Sequence, residues 1–199
     1  MNTNLDKARW SENVIIADAD YIDAVAFNLI VNFERMIGRR IPKADMARWI
    51  DCIALDGGLR EGQHNTQVVL LHSENRKQME NFTPGNFSDE LDGKAFSDNL
   101  GEFVISSLPA VTPTGGGNLF TEAVGVVCTA PEVKRVMIIP NAEKIYDDIR
   151  MTLNRIDDDE KRITVFAMQP MPGGNFRQEI LGYSLMSALG IRADEIKQD

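Results

Sequence analysis

The stretch "NVIIADADYIDAVAFNLIVNFERMIG", residues 13–38, changes its hydrophobic period partway along, and that change decides the fold. Asn13 to Asp18 is a short run rich in apolar and β-branched residues, the pattern of a strand buried on both faces. From Tyr21 onward Ile22, Val25, Ala26, Leu29, Ile30, Phe33 and Ile37 recur at steps of three and four, so they line one side of a helix that Gly38 stops. A buried strand feeding at once into a long amphipathic helix opens an alternating α/β pattern.

The rest of the chain repeats the alternation. Strands are expected at 66–72 ("TQVVLLH"), 102–109 ("EFVISSLP"), 135–140 ("RVMIIP") and 163–168 ("ITVFAM"). A second helix follows Pro42, turns Met46, Trp49, Ile50 and Ile53 inward and ends near residues 56–58. Further helices are expected around 88–98, at 119–129, at 142–155 and at 176–189. The spacers are long enough for right-handed crossovers, which implies a three-layer α/β fold with a five-stranded, mainly parallel sheet. The strand order assumed for it is 3-2-1-4-5. Only residues 109–118 read as linker, so 1–199 is expected to form a single α/β domain.

Composition narrows the function. The chain has 30 acidic and 21 basic residues, a net charge of −9, which repels polyanions and does not favour nucleic acid as a partner. Its clearest basic cluster is Arg35, Arg39, Arg40 and Lys43. The helix before it is about 27 Å long, so this charge lies far from the end of the first strand. No stretch approaches the ~20 apolar residues of a membrane span, and the opening lacks a secretory signal, so the expectation is a cytoplasmic protein without membrane contact. Cys52 and Cys128, the two cysteines, have no zinc-site spacing and read as buried structural thiols.

In open sheets of this kind, ligands bind beyond the carboxyl ends of the strands, where the strand order reverses. The assumed order puts that point between strands one and four, and so gathers Asp18, Asp20, Asn141 and Glu143. Glu122, early in the helix before strand four, is a further candidate. Carboxylates around one crevice repel unless protonated or bridged by a hard cation such as Mg²⁺ or Mn²⁺, which would activate water for phosphodiester attack. Each residue also has a plainer reading. Asp20 suits the N-cap of a helix starting at Tyr21, with Asp23 favouring the helix dipole. Asn141 and Glu143 suit a cap and a first-turn acid, and Glu122 a solvated position. Asp18 is the hardest to explain this way, because an unpaired carboxylate closing an apolar strand is costly to bury.

Taken together, Asp18 in "VIIADAD", Glu122 in "LFTEAVGVV" and the order of elements over 13–168 resemble the PIN-like and NYN metal-dependent ribonucleases, a Rossmann-like fold. The resemblance implies Asp18 at the metal, with Asp20, Glu122 and Glu143 completing or supporting its shell. Those nucleases carry Ser-Gly-Asp and then a second Asp after strand four. This chain has "IIPNAEK", with Asn141 in place of the first aspartate. The chain is also similar to an uncharacterised bacterial family of about this length, through "NFERMIGRRIPKADMARWIDCIALDGG" (32–58) and "EILGYSLMSALGIRADE" (179–195), and that likeness brings no known activity. The expected function is a noncatalytic or weakly active binding or regulatory module. The alternatives are a Mg²⁺- or Mn²⁺-dependent ribonuclease and a nucleotide-binding switch.

The remaining motifs carry less. "TPTGGGN" (112–118) lacks the Gly-Lys-Ser/Thr ending of a phosphate loop and reads as a connection, with a nucleotide switch as its functional alternative. His64 and His72, the two histidines, show no nucleophile elbow around them. The last helix offers Phe176, Ile180, Leu181, Leu185 and Leu189 to the sheet. Tyr183, Met186 and Ile191 widen its apolar surface toward a homo-oligomer contact.

Overall fold

A computed structural model describes residue 5 and residues 7–110 and 118–196. In it β1 (Asn13–Asp18) runs straight into α1 (Ala19–Ile37). β2 (Ala44–Asp45) leads to α2 (Met46–Asp56), and β3 (His64–Ser73) follows. Next come β4 (Phe82–Thr83), a single π-helical turn at Phe87–Leu91, β5 (Ala95–Asp98) and β6 (Gly101–Ala110). The second half contains α3 (Leu119–Thr129), β7 (Arg135–Ile139), α4 (Ala142–Asn154) and β8 (Arg162–Ala167). β9 (Arg177–Ile180), α5 (Leu181–Ala188) and α6 (Ala193–Ile196) close the chain.

The main sheet has seven strands in the order β5-β6-β3-β1-β7-β8-β9, and β2 pairs with β4 in a small ribbon apart from it. The five strands expected from sequence are β1, β3, β6, β7 and β8. Their pairings are all parallel, and numbered by appearance their order is 3-2-1-4-5. Central β1 has Val14, Ile15, Ile16 and Ala17 at 0% exposure, which is why its sequence is continuously apolar. Ile15 and Ala17 join Met137 and Ile139 in one core with side chains of α1, α2 and α5. Val14 and Ile16 join Val136 and Ile138 in the other, against α3 and α4. The sheet is thus covered on both faces.

The five-strand expectation is corrected at both edges. β5 pairs antiparallel with β6 and carries one strong apolar signal, Phe96, stacked on Phe103 at a centroid distance of 4.9 Å. The helix expected around 88–98 is therefore the short π turn followed by this strand. Gly93, at φ +73°, lies between them in a left-handed conformation that suits glycine. β9 pairs parallel with β8, and its sequence "RQEI" is polar because it is an outer strand. The spacing of Phe176 and Ile180 imitates a helix turn, but α5 begins only at Leu181. Among the described residues no helix is long and apolar enough to cross a membrane.

Candidate functional site

Strand order reverses at β1, whose neighbours are β3 and β7. Beyond the carboxyl ends of β1 and β7 lies a crevice of about 430 Å³, with Asp18, Asp20, Asn141 and Glu143 all in its wall. Tyr21, Asn28, Asn118 and Lys144 add to its polar lining. Glu122 is not part of that wall and stands exposed in the first turn of α3.

Asp18 occupies the capping position assigned to Asp20 from sequence. Its Oδ1 accepts the amide hydrogen of Tyr21 at 3.0 Å, because α1 starts two residues earlier than its apolar period suggests. Burial pushes the Asp18 carboxyl above its ordinary value, and the charge of Asp20 adds to this. Hydrogen bonds from the Tyr21 and Asp20 amides and the charge of Lys144 act the other way. Asp20 faces β3 instead: its Oδ2 accepts from the Ser73 amide at 2.9 Å and from the Ser73 hydroxyl, and its Oδ1 lies 3.6 Å from Arg76. That set ties α1 to the end of β3 while Asp20 still lines the crevice, beside Asp18 at the end of β1.

On the opposite wall, Pro140 follows the end of β7 and Asn141 precedes α4. Asn141 sits at the N-cap position, and its carbonyl accepts the amides of Lys144 and Ile145, each at 3.0 Å. Its side chain caps nothing, and the Oδ1 is buried without a hydrogen-bond donor among the described residues. Glu143 and Lys144 follow on the exposed first turn. The hydroxyl of Tyr21 is pushed up by burial first and then by the charges of Glu143 and Asp18, so all three share one electrostatic environment. Asn118 reaches the same crevice as N-cap of α3, its Oδ1 accepting from the Phe120 amide at 2.9 Å. Three helix starts thus meet where the sheet reverses.

Sequence reasoning missed Tyr21, Asn28, Asn118 and Lys144. The two asparagines had a signal, since one begins a helix and the other lies on the polar side of α1's first half. Among the described residues no three His, Cys, Asp or Glu side chains come together in a way that could hold a metal ion. Residues 111–117, which hold most of the glycine loop, lie outside the described residues.

Other candidates serve the fold. Asp23, expected to complement the helix dipole, is 2% exposed. Its carboxylate pairs with Arg76 at 2.8 Å and accepts from the amides of Glu80 at 3.1 Å and Asn81 at 2.8 Å. Arg39, from the basic cluster, bonds Glu195 at 2.7 Å and the Gly190 carbonyl at 2.9 Å, which fastens α6 to the end of α1. His72 stacks on Phe87 at 3.8 Å, with Nδ1 3.0 Å from the Ser73 carbonyl. Cys128 is buried, its thiol pushed up to about 12 by burial, while Cys52 is half-buried.

A sheet covered on both faces, with a polar crevice at its reversal point, defines a doubly wound α/β protein. The chain belongs to the family of unknown function DUF6621, which residues 7–196 match. Both segments that carried the likeness to an uncharacterised family, 32–58 and 179–195, fall within that span. No curated protein and no solved structure matches the chain.

Proposed function

We propose that the protein is a binding or regulatory module that takes a small, hydrogen-bond-donating molecule into the crevice between β1 and β7. The observation that carries this reading is the Asn141 Oδ1, a buried acceptor without a donor among the described residues, in the wall of a pocket of about 430 Å³. An unpartnered buried acceptor costs about 1–3 kcal/mol, which a ligand hydroxyl or amine would recover. Asp18 and Glu143 add acceptors around it, and Lys144 and Tyr21 add donors. This balance fits a polyhydroxylated or amine-bearing ligand better than a free anion. A thermal-shift panel of nucleosides, sugars and amines tests it. The expected hit raises the melting temperature of the wild type and not of Asn141→Leu, which removes the oxygen and keeps the side-chain size. A panel without hits, or one whose hits survive both Asn141→Leu and Asp18→Asn, sinks the reading.

The strand order, with Asp18 at the end of β1 and Glu143 across the same crevice, favours a second reading, the PIN-like metal-dependent nuclease. A Mg²⁺ or Mn²⁺ ion held by one or two carboxylates is compatible with that pair. Calorimetric titration with Mn²⁺ separates the two readings. Metal binding that disappears in Asp18→Asn, together with RNA turnover, would replace the binding module by the enzyme.

A further inference from the structure

The opposite end of the sheet carries a feature that neither reading uses. Arg135, Arg162 and Arg177 are the first residues of β7, β8 and β9, three neighbouring parallel strands. Arg135 pairs in register with Arg162, and Arg177 pairs with Thr164, two residues along from Arg162. Alternation along the strands puts all three on the face of Met137 and Phe166, the side covered by α2. The turn after α2 brings a fourth, Arg60. A Cβ built on Gly58 would lie 2.6 Å from Nη1 of Arg135 and 3.8 Å from Nη1 of Arg177, so these two guanidinium groups converge over one point of that turn.

We propose that this edge of the sheet is a phosphate site, in which Arg60, Arg135, Arg162 and Arg177 hold the phosphoryl oxygens of a compact anion such as a di- or triphosphate group. Like charges side by side on adjacent strands destabilise a sheet, and this chain places four of its 21 basic residues together while carrying 30 acids. Part of the charge is met from within. Arg135 donates to the Gly57 carbonyl at 2.7 Å, and Arg60 to those of Leu59 at 2.8 Å and Leu55 at 3.1 Å, which complements the carboxyl end of α2. Arg162 and Arg177 point to solvent. Among the described residues the one ion pair of the four is Arg177 with Glu179, at 3.9 Å and 63% exposure of the arginine, a contact of little strength.

The surrounding carboxylates do not neutralise the cluster. Glu12 draws on Arg135, yet burial and then Arg162, Arg60 and Arg177 hold that guanidinium below its usual range. Asp56 is raised by burial and by Glu179, so those two acids repel each other beside the arginines. Guanidinium groups present planar pairs of N–H donors that match phosphate oxygens. The net charge of −9 opposes a long polyanion more strongly than a short one.

Calorimetry of the whole protein with inorganic tripolyphosphate at low ionic strength tests the assignment. Binding is expected in the wild type, weakened about tenfold in Arg162→Gln and in Arg177→Gln, both exposed positions. Arg155→Gln, exposed at the end of α4 on the other layer, is expected to bind as the wild type does. The free protein gives a second readout: Arg162→Gln relieves repulsion and raises the melting temperature. Absence of binding, equal loss in Arg155→Gln, tighter binding of a short single-stranded RNA through the same arginines, or a lower melting temperature in free Arg162→Gln would each overturn the proposal.

Discussion

Asp51 on α2 shows how one side chain sets a pH response. Burial, a hydrogen bond with Asp98 and the charges of Asp98 and Asp45 push its carboxyl from an ordinary 3.8 up to about 7. Among the described residues its Oδ1 has no hydrogen-bond partner, which adds to the cost of the charged form at this position. Because the folded value lies above the unfolded one, the stabilisation is complete below about pH 4 and is lost as pH rises toward about 7. Asp51→Asn is therefore expected to flatten the loss of stability between those limits. At pH 8 it should gain on the order of 1 kcal/mol, after allowance for solvent screening, or a melting temperature roughly 2–4 °C higher. Scanning calorimetry of both proteins at pH 4 and pH 8 checks this. Equal differences at the two pH values would show that Asp51 does not titrate as described. None of this was legible from "WIDCIA", because the sequence does not say that β5 brings Asp98 alongside α2. The same holds for Asp18: its place at the end of an apolar run was readable, while the exact start of α1, which makes it a cap, was set by backbone hydrogen bonding.

Between elements, the start of α1 is joined to the segment after β3 by Asp20 and Asp23 rather than by apolar contact alone. Asp23 meets Arg76 and the amides of Glu80 and Asn81, and the Asn81 side chain donates to its Oδ1 at 3.2 Å. Removing the Asp23 carboxylate leaves the amides of Glu80 and Asn81 without their acceptor, so Asp23→Ala is expected to cost roughly 2–4 kcal/mol in urea denaturation, and Asp23→Asn distinctly less. A loss below about 1 kcal/mol for the alanine variant would show that residues 76–81 hold their course by other means. The helix-dipole reading of Asp23 assumed a solvent-facing first turn, but the polar segment after β3 folds back over it. The same limit explains β5 and β9. An outer strand makes ladder bonds on one side and buries little, so "AFSD" and "RQEI" lack the apolar density that identified the five inner strands.

At the scale of the molecule, the exposed large apolar side chains among the described residues are Phe27, Val31, Met36, Leu55, Met151 and Tyr183, on four different helices. Of the three residues expected to widen the last helix toward another subunit, Tyr183 is 71% exposed, Met186 packs against the core and Ile191 is 7% exposed. One tyrosine offers little area for a stable interface, so the protein is expected to sediment at its chain mass of 22.2 kDa. A concentration-independent dimer in analytical ultracentrifugation would refute that expectation. Charge is also distributed by end: acidic groups and a lysine around the crevice beyond β1 and β7, arginines at the amino ends of β7, β8 and β9. Either end can be altered by exposed substitutions without touching the two cores.

The sequence alone determined the alternation of elements, the identity of the central strand and the order of the five inner strands' appearance along the chain, because continuous apolar runs and three-to-four spacing are local consequences of burial. It also brought Asp18 and Asn141 forward as site candidates, from strand ends that a parallel sheet must place on one side. Tertiary structure decided which acids line the crevice and which also act as clasps, where the outer strands lie, and which arginines converge. Those outcomes depend on pairings between residues far apart along the chain, and a hydrogen-bond partner supplied across such a distance leaves no period in the sequence to read.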